Sequence, residues 1–509
     1  MIKKSLHDIY VSMSDCVPLT PDYAHGETVL ALSCDSRKAG VSSMFFCLVG
    51  KQVDGHDFAL SAYHRGARAF VVEHEIELPD DAYVFRVPNA RIALAEASAA
   101  FYDHPEREMR LIGLTGTKGK TTTSLVIQSL LSAAGIPTGY IGTNGIQYGS
   151  YYFETVNSTP ESLEIYRVLR DMVDAGYRTA VLEVSSQALW MDRVYGLDFD
   201  VCLFTNLSPD HIGGIEHPDF DHYKASKRRL FTEHNPRYII YNADDKSTPD
   251  VIGGADATLI GISTKDGTDA AWVAPREEIA AATYHGQIGT RFFCYRDGSV
   301  IGSTQFVPLP GEMNVQNALM ALAVVCDCFG VEPAGALRAL RSVKVTGRFE
   351  TVTFPELPRV TFVIDYAHNG VSLASILDAL RAYKPRRLIC LFGSVGDRTF
   401  GRRTELAEAA GSRADLCILT SDNPGREDPR RIIAMIHDAF PEGSCPRTCI
   451  VDRAEAIEHA VSIAEQGDII LIAGKGHEAY QLIGINRLPY SEQDTLKRAV
   501  EKRLASENK

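Results

Sequence analysis

The sequence predicts an α/β protein of three domains with mostly parallel sheets, and three observations carry that prediction. Short apolar runs of strand character alternate with helix-period stretches along nearly the whole chain, the pattern of strands joined by helical crossovers. Several runs end in polar or glycine-rich tips, among them Leu114-Thr-Gly-Thr-Lys-Gly-Lys, Leu182-Glu-Val-Ser-Ser, Phe204-Thr-Asn-Leu, Ile364-Asp-Tyr-Ala-His, Leu419-Thr-Ser-Asp-Asn-Pro and Ile472-Ala-Gly-Lys-Gly-His-Glu. Ligands bind beyond the carboxyl ends of strands in open parallel sheets, so these tips mark one active edge per sheet. The third observation is length, because 509 residues exceed one core and fit several domains of about 100–200 residues each.

The first section, residues 1–108, contains the strand runs Ser43-Met-Phe-Phe-Cys-Leu-Val and Ala67-Arg-Ala-Phe-Val-Val and closes on the polar breaker Tyr102-Asp-His-Pro-Glu-Arg-Glu. The second, residues 109–345, opens with the strand Met109-Arg-Leu-Ile-Gly-Leu and ends in the basic stretch Lys344-Val-Thr-Gly-Arg. The third, residues 346–509, opens near Val360-Thr-Phe-Val-Ile and runs to the charged end Ala505-Ser-Glu-Asn-Lys. No repeat of solenoid period and no low-complexity segment interrupts this order.

Composition narrows the function classes. Lys plus Arg is 52 against 65 for Asp plus Glu, so the net charge is −13. That balance argues against nonspecific binding to nucleic acid or anionic membranes, both of which need a positive field. Hydrophobic content of 45% and charged content of 23% are ordinary for a globular chain. The start, Met1-Ile-Lys-Lys-Ser-Leu-His-Asp, has basic residues without an apolar run behind them, and no apolar stretch reaches spanning length, so a soluble cytoplasmic protein is expected. The 11 cysteines are an odd number, and most lie in apolar runs such as those around Cys202, Cys390 and Cys417. They read as small core residues in a reducing compartment. Cys326 with Cys328, and Cys445 with Cys449, lack partners at zinc spacing.

The strongest chemical signal is Thr115-Gly-Thr-Lys-Gly-Lys-Thr-Thr-Thr123, which follows a strand and opens a helix with apolar Leu125, Val126, Ile127, Leu130 and Leu131. This is what a phosphate loop requires. Gly116 and Gly119 let the N–H groups of Thr117, Lys118 and Thr122 approach phosphate oxygens, and the helix N-terminus adds positive potential. Lys120 would reach the β and γ phosphates and the Thr121 hydroxyl a Mg²⁺ ion. A full Walker pattern needs glycine at position 114, where this chain has Leu, so the loop is a shortened variant. Downstream, Glu183 at a strand end, His211 in Ser208-Pro-Asp-His and Lys227 in His222-Tyr-Lys-Ala-Ser-Lys supply hard oxygen and imidazole groups that suit Mg²⁺ beside a nucleotide.

These motifs resemble the Mur ligases, ATP-dependent amide-forming enzymes of peptidoglycan precursor synthesis, and within them the MurE type. The resemblance spans nearly the whole chain. It rests on Asp35-Ser-Arg, Asp54-Gly-His, Gly116-Thr-Lys-Gly-Lys-Thr, Asn157-Ser-Thr-Pro, Glu183-Val-Ser-Ser, Thr205-Asn-Leu, Asp210-His, Gly347-Arg-Phe-Glu, Asp365-Tyr-Ala-His, Gly396-Asp-Arg, Asp422-Asn-Pro and Gly474-Lys-Gly-His-Glu. It implies a uridine-nucleotide domain over 1–108, a central P-loop ATPase domain over 109–345 and a Rossmann-like amino-acid domain over 346–509.

The implied reaction phosphorylates the D-glutamate carboxylate of UDP-N-acetylmuramoyl-L-alanyl-D-glutamate, and an amino acid's amine then displaces phosphate from the acyl phosphate. The load falls on charge neutralisation by Lys120, by two Mg²⁺ ions and by backbone donors. In the resemblance, Thr121, Glu183, His211 and a carbamylated Lys227 hold metal. Asn206, Asn314, Asn317, Arg348 and Asp365 attend the nucleotide, and Ser36 and Lys51 hold the uridine diphosphate end. Asn157, Ser158, Thr159, Ser185 and Arg193 grip the muramoyl-peptide, while Arg398, Asp422, Asn423, Pro424, Gly425, Gly474 and Glu478 receive the amino acid. A monomer working on soluble substrates is implied, with neither nucleic acid nor membrane insertion.

The family's enzymes that add meso-diaminopimelate carry Asp-Asn-Pro-Arg, whereas this chain reads Asp422-Asn-Pro-Gly425-Arg426. That departure, with Gln187 and the segment Ile215-Glu-His-Pro, favours L-lysine, with Asp428 or Glu478 as the acid facing its distal amine. Asp428 reads equally as the N-cap of a helix with Pro429 in its first turn. The alternatives are meso-diaminopimelate or another diamino acid, a folylpolyglutamate synthetase-like ligase, and a nucleotide-binding protein without turnover.

Overall fold

A computed structural model describes residues 2–20, 27–50, 53–209, 212–213, 216–284, 286–396 and 400–507. The chain forms two compact units, one comprising residues 1–263, 267–272 and 319–336, the other residues 264–266, 273–318 and 337–509.

The first unit begins with a five-stranded sheet in the order Val17–Pro18, Tyr83–Arg86, Ala69–Val72, Ser43–Phe46 and Ala31–Ser33, parallel except at Val17–Pro18. Its middle strands are buried on both faces, and the two-residue period of a strand sorts their side chains. Met44, Phe46 and Val71 face the layer of Leu6, Ile9 and Leu94, whereas Phe45, Phe70 and Val72 face Ala59 and Ala62.

The second sheet of this unit runs Tyr151–Phe153, Gly145–Tyr148, Thr138–Gly142, Thr179–Glu183, Arg110–Thr115, Val201–Phe204, Tyr238–Asn242 and Thr258–Ser263. From Thr138–Gly142 onward the neighbours are parallel, and the first two strands form an antiparallel ribbon. Helices Lys120–Ala133, Ser162–Asp174 and Phe220–Thr232 cross between these strands. Strand Arg110–Thr115 lies between Thr179–Glu183 and Val201–Phe204, so three predicted polar tips emerge side by side. That adjacency follows from the β-α-β order and its crossovers.

The second unit holds a three-stranded antiparallel sheet of Ala280–Tyr284, Gln287–Phe292 and Gln305–Val307. Its larger sheet runs Glu350–Val352, Thr361–Asp365, Ile469–Ala473, Leu388–Phe392, Leu416–Leu419 and Arg447–Cys449, parallel after the antiparallel first strand. Leu388, Cys390 and Phe392 pack against helices Gly370–Arg381, Gly401–Gly411 and Pro429–Asp438. Ile389 and Leu391 face helices Arg453–Ser462 and Glu492–Glu507. Helices on both faces of a parallel sheet make this the expected Rossmann-like arrangement.

All 11 cysteines are free thiols and seven of them are buried, in keeping with their apolar sequence surroundings. Among the described residues no helix is long and apolar enough to cross a membrane.

Candidate active site

The loop after strand Arg110–Thr115 turns at Gly116 (φ +152°) and Gly119 (φ +86°), left-handed conformations that glycine enters without strain. A Cβ at Gly116 would stand 1.9 Å from Thr205 Oγ1, so the loop is packed tightly against the neighbouring strand end. Thr205 and Asn206 clamp it. Asn206 Oδ1 accepts from Lys118 N–H at 2.9 Å, and Asn206 Nδ2 and Thr205 Oγ1 donate to Lys118 O at 3.0 and 2.7 Å. Thr117 Oγ1 lies 3.1 Å from Tyr223 Oη. Gly119 caps helix Lys120–Ala133 without a side chain, which leaves the first-turn N–H groups, Thr122 included, without a cap from that residue. Backbone donors in a glycine cradle at a helix N-terminus fit a nucleotide's phosphates.

Lys120 Nζ folds back onto Gly116 O at 2.8 Å and Thr117 O at 3.3 Å. Lys227, from helix Phe220–Thr232, donates to the same Gly116 O at 2.9 Å and lies 4.5 Å from the centre of the Tyr223 ring. It is only 1% exposed, so this lysine is not a solvated surface residue. Two ammonium groups converging on one carbonyl make a cationic floor beneath the loop.

Glu183 ends the strand beside the loop and is 1% exposed. Its carboxylate accepts from Thr121 Oγ1 at 3.0 Å, Tyr140 Oη at 2.5 Å, Thr143 N–H at 3.1 Å and Thr143 Oγ1 at 3.1 Å. Four donors hold the carboxylate in one orientation. Gly142 leaves the necessary space, since a Cβ there would meet Tyr140 Oη at 2.3 Å and Glu183 Oε1 at 2.4 Å. Thr121 and Glu183 together offer hard oxygen ligands, a donor set that fits Mg²⁺. His211, assigned to the same set from sequence, lies outside the described residues, as do Lys51 and Arg398.

Thr159 is buried and holds the end of strand Thr179–Glu183. Its hydroxyl donates to Glu183 O at 2.8 Å and accepts from Ser185 N–H at 3.0 Å. Ser185 Oγ caps helix Ser186–Trp190 through Ala188 N–H, while Asn157 is exposed and Ser158 half-buried beside them. Arg193 pairs with Glu161 at 2.8 Å and donates to Thr159 O at 3.2 Å, and Arg91 reaches the other Glu161 oxygen at 3.1 Å. Burial pushes the Arg193 guanidinium below its ordinary value. Two arginines on one carboxylate leave this trio, of which only Arg193 is buried, with surplus positive charge.

In the first section Ser36 is half-buried on a short helix capped by Asp35, whose carboxylate also holds Arg37. The Arg37 hydrogen bond lowers the Asp35 carboxyl below its ordinary range. The Asp54-Gly-His motif proves to be a brace. Asp54 accepts from the His56 backbone N–H and lies 2.5 Å from His56 Nδ1, and His56 Nε2 accepts from Glu73 N–H at 3.0 Å.

In the second unit Asn314 and Asn317 are buried on helix Glu312–Ala323 and bonded to each other at 3.1 Å. Asp365 accepts from the N–H groups of Phe349 and Ala367 at 2.8 and 2.7 Å, and burial raises its carboxyl above the ordinary range. The Arg348 guanidinium lies 4.8 Å from the Tyr366 ring centre, and its Nε is buried with no hydrogen-bond partner among the described residues.

Asp422, Asn423, Gly474 and Glu478 gather around a residue the sequence reading did not single out. Lys475 is fully buried and donates to Asn423 Oδ1 at 3.0 Å and Glu478 Oε2 at 2.8 Å, with Asp422 Oδ1 at 4.0 Å. Asn423 Nδ2 donates to Glu478 at 2.8 Å. Burial raises the Asp422 carboxyl despite Lys475 and Arg453 nearby. Gly474 (φ +113°) lets the chain pass, because a Cβ there would lie 2.6 Å from Asp422 Oδ2. Pro424 O is approached so closely by Gly396 that a Cβ on the latter would be 1.9 Å away. Gly425 (φ +58°) is pinned to the hairpin Tyr480–Pro489, donating to Leu482 O at 3.1 Å and accepting from Gly484 N–H at 2.7 Å.

Beneath this pocket Arg453, with no exposed side-chain surface, pairs with Glu492 and donates to Ser421 O at 3.2 Å and Ala473 O at 2.9 Å. Those carbonyls immediately precede Asp422 and Gly474. Arg403 makes a two-pronged pair with Glu427 at 2.8 and 2.6 Å and so anchors the far end of the same loop. Asp428, one of the two acids offered for a distal amine, is exposed and accepts from Arg430 N–H at 2.9 Å as the N-cap of helix Pro429–Asp438.

A phosphate cradle at the switch of one parallel sheet and a second, Rossmann-like unit define an α/β nucleotide-dependent enzyme. Three family descriptions match the chain: Mur ligase family, catalytic domain, over residues 28–108, Mur ligase middle domain over 114–325, and Mur ligase, glutamate ligase domain, over 347–476. The UDP-N-acetylmuramoyl-L-alanyl-D-glutamate--2,6-diaminopimelate ligase of Geobacillus thermodenitrificans is 38% identical over 483 residues, 93% of this chain and 95% of that one. A solved structure bearing the same ligase name superposes with a TM-score of 0.67 at 27% identity, covering 99% of this chain and 100% of that one. The MurF ligase of Thermotoga maritima, solved in complex with ADP, shares the fold with a TM-score of 0.59 at 18% identity over 94% of this chain and 98% of its own. The chain belongs to the Mur ligase family and is a ligase of the MurE type.

Proposed function

We propose that this enzyme uses ATP to join 2,6-diaminopimelate to the D-glutamate carboxylate of UDP-N-acetylmuramoyl-L-alanyl-D-glutamate. The observation that carries the reading is the constellation at the phosphate loop, where Lys120 and Lys227 share Gly116 O and Thr121 meets Glu183. The names of the relatives support the substrate.

L-lysine, favoured by the sequence because of Gly425, is the less supported amino acid. Of the two acids offered for its distal amine, Asp428 is a helix cap and Glu478 is already neutralised by Lys475. The three sections identified from sequence would divide the work as uridine-nucleotide, ATP and amino-acid domains.

Phosphorylating a carboxylate brings two anions together, so the protein's task is charge neutralisation. Lys120 would leave the loop carbonyls for the β and γ phosphates, while the loop N–H groups hold the remaining oxygens. Bound Mg²⁺, held by Thr121, Glu183 and His211, would supply Lewis-acid charge neutralisation. Lys227 would react with CO₂ as the free amine, releasing one proton and gaining a carboxylate on a long arm. Phosphate is then the leaving group when the amine attacks the acyl carbon, and exclusion of water protects the acyl phosphate.

The test incubates the enzyme with ATP, the muramoyl-dipeptide nucleotide and one amino acid at a time, followed by mass analysis. The diaminopimelate tripeptide with stoichiometric ADP is expected, whereas a product with L-lysine alone would overturn the assignment. Lys120→Ala should abolish ADP formation.

A further inference from the structure

We propose that Cys417 and Cys445 form a reversible dithiol–disulfide site in the second unit. Their Sγ atoms are 3.5 Å apart. Cys417 lies buried within strand Leu416–Leu419, and Cys445 is half-buried in the segment joining helix Pro429–Asp438 to strand Arg447–Cys449. Backbone bonds fix both positions, since Cys417 N–H donates to Pro446 O at 3.0 Å and Cys445 N–H to Gly411 O at 3.3 Å. The pairing therefore belongs to the sheet and its crossover. A sulfur–sulfur bond of about 2.05 Å would need a closing movement of roughly 1.5 Å from the 3.5 Å separation.

The two thiols are unlike. A hydrogen bond from Cys417 lowers the Cys445 thiol, and the Arg447 charge acts in the same direction, whereas Cys417 is pushed well above its ordinary value. Cys445 is also the partner with access to solvent. It is the attacking sulfur and Cys417 the resolving one.

The oxidant is a peroxide. The Cys445 sulfur attacks one peroxide oxygen, forming an S–O bond as the O–O bond breaks, and the departing oxygen leaves as water with the thiol proton. The Cys417 sulfur then attacks the Cys445 sulfur, the S–S bond forms, the S–O bond breaks, and a second water leaves with the Cys417 proton. Two thiols lose two electrons and two protons, and the peroxide is reduced to two waters. Thiol exchange with a dithiol reductant restores the pair. In a reducing compartment the site rests as two thiols, and the inference stands whichever amino acid the enzyme ligates.

The full chain is exposed to hydrogen peroxide under native conditions, quenched with an alkylating reagent, digested and analysed by mass spectrometry. A cross-linked peptide joining Cys417 to Cys445 is expected, lost on treatment with dithiothreitol, absent from Cys445→Ser and retained in Cys449→Ser. Over-oxidation of Cys445 with Cys417 still alkylatable would overturn the proposal. So would a bridge forming no faster in the folded chain than in urea. The peptide map of the unsubstituted chain decides the matter even if a variant fails to fold.

Discussion

Glu183 shows at the scale of one side chain how far the site is prepared before any ligand arrives. Its four donors hold the carboxylate in one orientation, and Tyr140 is the buried donor with no part in the phosphate loop. Tyr140→Phe removes a hydrogen bond to a charged group, worth about 1.5–3 kcal/mol. The Mg²⁺ concentration for half-maximal turnover should rise while the KM for the amino acid stays unchanged, as titrations of the two ligands would measure. Lys227→Ala should lose ligation and regain part of it with added short carboxylates, and full activity without them would refute the carbamate. Asp422 offers a pH test. Burial raises its carboxyl in the folded state, so the native chain binds that proton more tightly than the unfolded one. Its contribution to stability therefore falls as pH rises through the window above the ordinary carboxylate range. Asp422→Asn should flatten that descent relative to the parent in denaturant midpoints measured from pH 4 upward. Lys120 and Glu183 were legible in the sequence because their motifs sit at strand ends, whereas Lys227, inside helix Phe220–Thr232, stood out only through the family resemblance. Tyr140 was not legible, since its partner Glu183 is distant in sequence, and Lys475 was not, since besides nearby Glu478 it is held by distant Asn423.

Between side chain and domain, the loops owe their placement to single buried ties. Arg453 and Glu492 belong to helices far apart in the chain, yet they fix the carbonyls that precede Asp422 and Gly474. Removing one partner of such a buried pair strands a charge and costs about 3–5 kcal/mol, whereas replacing both with apolar residues costs far less. Arg453→Met should therefore destabilise the chain strongly and Arg453→Met with Glu492→Met much less, as denaturant unfolding would show. If the tie also positions the pocket, the double variant will keep its KM for ATP while its KM for the amino acid rises. Periodicity and strand tips revealed these elements, but a salt bridge between residues 39 positions apart leaves no periodic trace.

For the molecule as a whole, the alternation of strands and helices made the parallel sheets readable in advance. The antiparallel ribbon Gly145–Phe153 was missed, as was the small sheet around Gln287–Phe292, because their short pairings lack the crossover pattern. Two compact units predict unfolding that is not two-state. Calorimetry should give a van't Hoff enthalpy well below the calorimetric one, and equality of the two would show a single cooperative block.

Gly425, which the family resemblance places among the residues that receive the amino acid, limits what this loop tolerates. Its left-handed backbone is unfavourable to a side chain, and both its N–H and its carbonyl are committed to the neighbouring hairpin. Grafting an arginine there would strain the backbone that these bonds hold against the hairpin. Any exchange at position 425 therefore has to carry the loop and its hairpin together.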